Sequence, residues 1–469
     1  MTTIIRPPAT AGSFMQADPA ALAREIDNYL QPAPSAAPVN CPKVLIAPHA
    51  GHIYSGRTAG RAYALLAPFG AAAGGPIRRV VLLGPAHRVY VKGVALPGAD
   101  AFATPLGSVP VDTLGAMALA DLPFVVTRAD VHAQEHSLEV HLPFLQRVLG
   151  NFELLPLVVG DVAPAQVAEL LDRLWGGPEV LVVISTDLSH FHSYDQANAI
   201  DSASCAQVMA LDAALTHEQA CGATPVNGLL QLARRKGLRI TELERCNSGD
   251  TGANTPEGRQ RVVGYASFAL YEDEDQHVST PKAQALTVEQ GARVVQIARA
   301  ALHAAVRGPT VKTASDDDLQ MPGASFVTLT QQGQLRGCIG SLQAHRPLAL
   351  DVRANAQAAA LQDPRFSPVS AKEAPGLGVE VSVLTPSAPL TFANQAHALW
   401  QLRPGIDGVV FECVHEGRAY RSTFLPQVWE QLPGVVNFMA HLKVKAGLSA
   451  NFWSPAVRLS VYQVQKFYE

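Results

Sequence analysis

Three apolar strands near the start of the chain each end in a loop that carries a histidine. The apolar runs 44–46, 80–83 and 180–184 are followed by His49, His87 and His190. In an open α/β sheet the carboxyl ends of the strands line one crevice, so we expect these histidines to lie close together. Converging imidazoles are typical ligands of zinc, copper and iron. The pattern therefore predicts an α/β fold with a metal site at one edge of its sheet.

Length and composition predict two folded domains. The chain has 469 residues, more than one core usually organises, and its 48% hydrophobic and 16% charged residues are typical of globular proteins. Between 43 and 271 strand-like runs alternate with helical ones, which predicts a mixed sheet covered by helices. The stretch 273–285 has the acidic and Ser/Thr/Pro-rich composition of a linker. We expect an α/β domain over 1–272, this linker, and a smaller α+β domain over 286–469.

Charge and cysteine usage exclude several classes of protein. The 36 basic and 40 acidic residues give a net charge of −4, and no basic run is interleaved with aromatic residues. We therefore expect no binding to nucleic acid or to membranes. The N-terminus lacks the pattern of a signal peptide, and no apolar stretch reaches the roughly 18 residues of a membrane span. The six scattered cysteines include no CxxC pair, which favours a reduced, cytoplasmic protein.

Cys246 is a candidate third ligand beside His49 and His87, because it also follows a plausible strand. Two imidazoles and one thiolate leave coordination positions open, as a catalytic metal requires. A thiolate favours copper or zinc without excluding iron. The alternative is that the histidines are ordinary hydrogen-bonded residues and that Cys246 is a small buried side chain.

Further polar residues surround the predicted metal site. Asp187 and His190 share one loop and suit proton transfer, although a turn cap and a surface histidine are an equally simple interpretation. His136 and Glu139 share a helical face, which suits either a substrate-orienting pair or a solvated helix start. We assign His52 and His141 to the same pocket.

The second domain offers one candidate nucleophile. Cys338 follows Arg336 in a strand that contains two glycines. A nearby guanidinium lowers the pKa of a thiol and so favours the reactive thiolate. The alternative is a small buried cysteine in a tight turn.

Several separated motifs of the first domain together resemble the Memo-like family, over about residues 5–272. They are the segments 48–56, 83–87, 135–144 and 185–190, with Cys246. The resemblance implies a fold similar to class III extradiol ring-cleaving dioxygenases and metal ligation by His49, His87 and Cys246. It also implies that Asp187 and His190 line the pocket, with His190 as the acid or base. His141 departs from the family pattern, which has Gln there.

The second domain resembles the AMMECR type over about 286–469. Its motifs are the segments 334–340, 363–369, 423–429 and 445–448. The two families recur with a radical-SAM protein as the AmmeMemoRadiSam system, whose B-type and A-type components are fused in a chain of this kind. The resemblance thus implies a radical-SAM partner, since this chain has no CxxxCxxC motif to hold the iron–sulfur cluster.

Three functions are consistent with these residues. The first is a metal-dependent oxidoreductase of the extradiol dioxygenase type, acting on an unknown small molecule with one divalent metal ion; iron is favoured over copper or zinc. The second is a metal-binding scaffold or carrier without catalysis. The third is a zinc hydrolase, in which the metal lowers the pKa of bound water. A thiolate in place of a carboxylate weakens the case for ring cleavage.

Overall fold

The computed structural model describes residues 3–30, 40–252, 255–272, 286–308 and 317–468. The chain divides into two units, Met1–His277 and Val278–Glu469. The predicted linker over 273–285 lies outside the described residues. Across the described parts, each helix is too short or too polar to cross a bilayer.

The first unit alternates strands and helices along the chain. Its strands are β1 (Ile5–Arg6), β2 (Val44–Ala47), β3 (Arg79–Pro85), β4 (Val94–Leu96), β5 (Ala101–Thr104), β6 (Gly107–Pro110), β7 (Val125–Thr127), β8 (Glu153–Val159), β9 (Val180–Ser185), β10 (His190–His192), β11 (Arg239–Asn247) and β12 (Val262–Tyr271). Its helices are α1 (Pro19–Tyr29), α2 (His52–Ala64), α3 (Thr113–Ala118), α4 (Ala129–Ala133), α5 (Leu142–Leu149), α6 (Pro164–Arg173), α7 (Tyr194–Met209), α8 (Ala223–Lys236) and α9 (Ser248–Thr251).

A nine-stranded mixed sheet is the centre of this unit, in the order β10-β12-β2-β9-β3-β8-β4-β7, with β11 paired to β12. Strands β2, β9, β3 and β8 run parallel, whereas β12 is antiparallel to β2. Because β2, β9 and β3 are parallel neighbours, the loops that follow them leave the sheet at one edge. The predicted mixed sheet covered by helices is confirmed.

The central strands are apolar because both of their faces are covered. Every residue of β2 and β9 is buried, and so is all of β3 after Arg79. A continuous apolar run is typical of parallel strands packed on both sides. On one face Leu45, Leu82 and Val183 pack in a single core with Phe144 of α5. This packed layer fixes the positions of the loops at the carboxyl edge.

A smaller sheet, β1-β5-β6, attaches the N-terminus to the unit. Strands β5 and β6 form an antiparallel hairpin, and β1 adds to it in parallel, with Ile5 opposite Ala101. Arg6, at the end of β1, donates to the carbonyls of His132 and Glu135 (2.8 Å each) and so holds the N-terminal segment close to the segment that precedes α5.

The second unit has an α+β fold, as predicted. Its strands are β13 (Ala324–Gln331), β14 (Gln334–Gly340), β15 (Gly378–Leu384), β16 (Ala388–Pro389), β17 (Gly408–His415), β18 (Arg418–Phe424), β19 (Arg458–Tyr462) and β20 (Val464–Tyr468), and its helices are α10 (Val288–Arg307), α11 (Leu348–Leu361), α12 (Gln395–Gln401) and α13 (Val435–Lys445). They form two antiparallel four-stranded sheets, β14-β13-β15-β20 and β16-β19-β17-β18. Helices α10 and α11 bury their apolar sides in one core with β13 and β15.

Candidate metal centre

Three histidines come together at the carboxyl edge of the large sheet. His49 follows β2, His87 follows β3, and His136 lies between α4 and α5. One ring nitrogen of each lies within 4.8 Å of the others, which is a spacing that can hold a metal ion; among the described residues these three form such a group. His49 is buried, His136 is half-buried and His87 is exposed. The group is therefore reached from solvent on the His87 side.

The buried carboxylate of Glu135 orients two of the three rings. Its Oε1 atom accepts a hydrogen bond from Nδ1 of His87 (3.0 Å), and its Oε2 atom accepts one from the backbone N–H of His87 (2.6 Å). Burial raises the pKa of this carboxyl, but hydrogen bonds from His136 and His87 outweigh burial and hold the pKa well below its usual range. Since an ionised carboxylate only accepts hydrogen bonds, His87 carries its proton on Nδ1 and leaves Nε2 free for a metal.

The ring of His136 also lies close to the Glu135 carboxylate, but without a well-aligned hydrogen bond. Its backbone N–H donates to Glu135 Oε1 (3.0 Å), and its Nδ1 atom lies 3.2 Å from that oxygen. This buried Nδ1 atom nevertheless has no well-aligned hydrogen-bond partner. The ring of Phe14 covers the histidine at a centroid distance of 4.7 Å. Glu135 therefore positions the His136 ring through a close contact with Nδ1, without the aligned hydrogen bond that it forms with His87.

Ser185, the last residue of β9, fixes the third ring. Its hydroxyl donates to the Ser137 carbonyl (2.6 Å), and it lies 2.6 Å from His49 Nδ1 and 2.8 Å from His141 Nε2. A hydroxyl has one proton, so both imidazoles must donate to Ser185. Nε2 of His49 therefore carries the lone pair, as metal ligation requires. His141 in turn accepts a hydrogen bond from Tyr63 (2.8 Å).

Burial keeps these two imidazoles neutral. It lowers the pKa of His49 well below the ordinary value, with nearby histidines adding to the effect, and it lowers the pKa of His141 to about 3. His141 was predicted to line the pocket; the structure places it behind Ser185, where it supports the His49 ring.

Asp187 and His190 lie on the same edge but outside the three-histidine group. Asp187 follows β9, and its Oδ1 atom accepts from the backbone N–H of His49 (2.7 Å), while Oδ2 lies 3.9 Å from His49 Nε2. Burial raises the pKa of Asp187, and the neighbouring His190 is among the groups that oppose this. His190 Nδ1 donates to the Leu188 carbonyl (2.8 Å), so the lone pair of the neutral ring is on Nε2.

The structure does not bring Cys246 into the metal-ligand group. Cys246 lies on β11, which pairs with β12, and its Sγ atom lies 3.0 Å from the hydroxyl of Thr58 in α2. Burial raises the pKa of this thiol to about 11. A strand-end position and the family resemblance were the reasons to expect ligation, but the side chain of Cys246 contacts α2 instead. His136 takes the place in the group that was expected for Cys246.

Glu139 and His52, which were predicted to line the pocket, form hydrogen bonds with other parts of the first unit. Glu139 is fully buried and pairs with Arg6 at 2.5 Å, and it also accepts hydrogen bonds from the backbone of Ala9 and from Thr10. It therefore fastens the N-terminal segment to the loop that carries His136. His52 begins α2 and turns its Nε2 atom to the carbonyl of Val140 (2.9 Å), away from the three histidines.

Cys221 also approaches the group, although no pattern in the sequence predicts this. Its Sγ atom lies 3.4 Å from Nε2 of His49 and accepts from the backbone N–H of Asp187 (3.3 Å). Burial raises the pKa of the Cys221 thiol to about 12. Glu135 and Ser185 were likewise missed, because their roles depend on contacts between loops that are distant in sequence.

In the second unit, the contacts of Arg336 and of the Cys338 thiol lead to different partners. Its guanidinium forms an ion pair with Glu373 (3.0 Å). The Sγ atom of Cys338 accepts from Thr328 on the neighbouring strand (3.3 Å), and its backbone N–H donates to Asp363. These contacts suit a strand residue, and a nucleophilic role of Cys338 stays a prediction.

Comparison with known proteins agrees with this architecture. Residues 6–269 match the model of the Memo-like protein family, and residues 295–467 match that of the AMMECR1 family. A MEMO1 family protein of Archaeoglobus fulgidus is 32% identical over 280 residues, which is 57% of this chain and 99% of that protein. One of Methanopyrus kandleri is 34% identical over 293 residues, covering 56% of this chain and 98% of the relative.

A crystal structure of an uncharacterized protein from Pyrococcus horikoshii is 29% identical, covers 39% of this chain and 93% of that one, and has a TM-score of 0.36. The family match over 6–269 spans more than half of the chain and includes all three clustered histidines. The chain therefore belongs to the Memo-like protein family, and it carries an AMMECR1 domain in addition.

Proposed function

We propose that the first unit is a metal-dependent oxidoreductase that binds one divalent metal ion through His49, His87 and His136, with iron as the favoured ion. One observation carries the proposal: three imidazoles lie within 4.8 Å of each other. Metal-binding histidines usually donate a hydrogen bond from the ring nitrogen that does not bind the metal. Here Nδ1 of His87 donates to Glu135, and Nδ1 of His49 donates to Ser185.

The donor set fits a metal with open coordination positions. Three protein ligands leave room for substrate or water, and imidazole suits iron, copper and zinc alike. When bound, an iron ion would supply the binding of O₂ and of a chelating substrate, as in the class III extradiol dioxygenases, to whose fold the resemblance to the Memo-like family points.

His190 would transfer protons to and from the substrate, and Asp187 would help to position the site. The free Nε2 atom of His190 can take a proton from a substrate hydroxyl and return it to a product. Asp187 holds the backbone of His49 through its Oδ1 atom. Burial of His49 and of Asp187 excludes water from the deep side of the group.

A zinc hydrolase is the second candidate, and the identity of the third ligand favours it. Three histidines with an open fourth position are the ligand set of zinc enzymes that activate water. In that case His190 would act as the base toward the bound water.

Metal analysis after anaerobic purification, followed by O₂ uptake with a panel of catechols and by hydrolysis of a panel of esters, separates these functions. Iron with catechol-dependent O₂ uptake, lowered about 10²-fold or more in His190→Gln, supports the first. Stoichiometric zinc with ester hydrolysis supports the second. Bound metal without turnover in either assay would contradict both and indicate a scaffold.

We also propose that the chain works with a radical-SAM protein. The support is the presence of Memo-like and AMMECR1 domains in one chain, together with the absence of a cluster-binding CxxxCxxC motif from its sequence. Size-exclusion chromatography of this chain mixed with a purified radical-SAM protein from the same genome tests it. Co-elution is expected, and separate elution in the presence of metal and S-adenosylmethionine would contradict it.

A further inference from the structure

The loop that carries Cys221 is pressed against the end of β9. Gly222 donates from its backbone N–H to the hydroxyl of Thr186 (2.9 Å). A Cβ atom on Gly222 would lie 2.7 Å from the Ser185 carbonyl oxygen and from Thr186, so only glycine fits there. The Cys221 backbone N–H also donates to the carbonyl of Asp187 (3.3 Å). These contacts fix the position of the thiol relative to the loop after β9.

The thiol of Cys221 lies next to Nε2 of His49, the atom that would bind a metal. Ser185 accepts a hydrogen bond from Nδ1 of His49, so the lone pair of the ring is on Nε2. The Sγ atom of Cys221 lies 3.4 Å from that Nε2 atom. In a tetrahedral site with metal–nitrogen and metal–sulfur bonds of about 2.05 and 2.3 Å, the two donor atoms are about 3.5 Å apart. A metal ion on this lone pair must therefore either displace the thiol or bind it.

We propose that Cys221 is a sulfur donor of the metal site, which joins the three histidines when a sulfur-preferring ion such as Co²⁺, Zn²⁺ or Cu⁺ binds. This inference rests on the proposed metal site. Cys221 lies outside the three-histidine group as the structure stands, so the four donors must contract around the ion. Ions that prefer oxygen, such as Mn²⁺, would leave the thiol protonated and keep water in its place.

Cobalt is the probe for this proposal. The full chain, purified without metal and under anaerobic conditions, is titrated with Co²⁺ while its absorption spectrum is recorded. A cobalt–thiolate bond gives a near-ultraviolet charge-transfer band that a histidine-only site lacks, and both kinds of site show visible ligand-field bands. We expect the charge-transfer band in the wild-type protein and in Cys246→Ser, and its loss in Cys221→Ser and Cys221→Ala.

The variants also separate failure of this inference from failure of the metal site. Visible bands without a charge-transfer band in the wild type, or a band that persists in both Cys221 variants, would overturn the role of Cys221 and leave the three-histidine site standing. Loss of the band in Cys246→Ser alone would assign the sulfur to Cys246 instead. Absence of all cobalt bands would refute the metal site itself. For Zn²⁺ we expect about tenfold weaker binding in Cys221→Ser, with Mn²⁺ binding nearly unchanged.

Discussion

The Oε1 atom of Glu135 lies 3.0 Å from Nδ1 of His87 and 3.2 Å from Nδ1 of His136. One buried carboxylate thus orients two of the three clustered imidazoles. Such partners of metal-binding histidines fix the ring and raise its basicity, and their loss typically weakens metal binding by about 10–100-fold.

We therefore expect Glu135→Gln to weaken metal binding by about 10–100-fold, because the neutral amide no longer compels His87 to hold its proton on Nδ1. Isothermal titration with Zn²⁺ measures the effect. Glu153→Gln, at the exposed start of β8, is the control and should bind as the wild type does. Equal affinities of Glu135→Gln and wild type would contradict the orienting role.

Ser185→Ala should weaken both metal binding and stability. The change removes the acceptor of two buried imidazole N–H groups and the donor to the Ser137 carbonyl. Each buried polar group left without a partner costs about 1–3 kcal/mol, so the free energy of unfolding should fall by more than about 2 kcal/mol.

Urea unfolding of the metal-free protein measures this loss. The matched control is Ser204→Ala in α7, where an equally buried hydroxyl donates to the Ile200 carbonyl and accepts from the side chain of Gln219 (3.3 Å) but has no imidazole partner among the described residues; this change should cost about 1 kcal/mol. Equal losses in the free energy of unfolding in the two variants would contradict the role of Ser185 as the hydrogen-bond partner of three groups.

The Arg6–Glu139 pair should be essential to stability. Arg6→Met leaves the fully buried Glu139 without its counter-charge, and breaking a buried pair in this way costs about 3–5 kcal/mol. The exposed pair of Arg147 and Asp27 is the control, since Arg147→Met should cost about 1 kcal/mol or less. Thermal melts of both variants compare the two pairs, and similar melting temperatures would contradict the structural role of Arg6.

Lys43 should make the free energy of unfolding depend on pH in the alkaline range. Its ammonium is buried and donates to the carbonyls of Gly177 and Val180, and burial lowers its pKa to about 8, against about 10.4 in an unfolded chain. Between these values the unfolded chain binds more protons than the folded one, so the stability of the folded state rises with pH.

Relative to Lys43→Met, the wild type should thus gain about 2–3 kcal/mol in the free energy of unfolding between pH 7 and pH 10. Urea titrations of both proteins at several pH values give the difference. A difference that does not change with pH would mean that Lys43 keeps an ordinary pKa.

The parts of the site that local patterns encode could be predicted from the sequence. His49 and His87 follow runs of buried residues, and the parallel neighbours β2, β9 and β3 bring their loops to one edge. Each of these histidines is placed by the strand directly before it. Asp187 reaches the same edge for the same reason.

The third histidine could not be predicted in this way. His136 follows no strand, and its position depends on Glu135 and on the N-terminal segment that Arg6 and Glu139 fasten. Cys246 does belong to a strand, but the sequence does not show that its thiol contacts Thr58 of α2. The approach of Cys221 depends on the absence of a side chain at Gly222, which only the packed structure reveals.

The metal content of the protein is the most direct test of the three-histidine centre. Wild type, His136→Ala and Cys246→Ser are purified anaerobically, loaded with Fe²⁺ or Zn²⁺, desalted and measured by atomic emission. We predict about one metal ion per chain in wild type and Cys246→Ser, and a nearly complete loss in His136→Ala. Full occupancy in His136→Ala together with loss in Cys246→Ser would contradict the account.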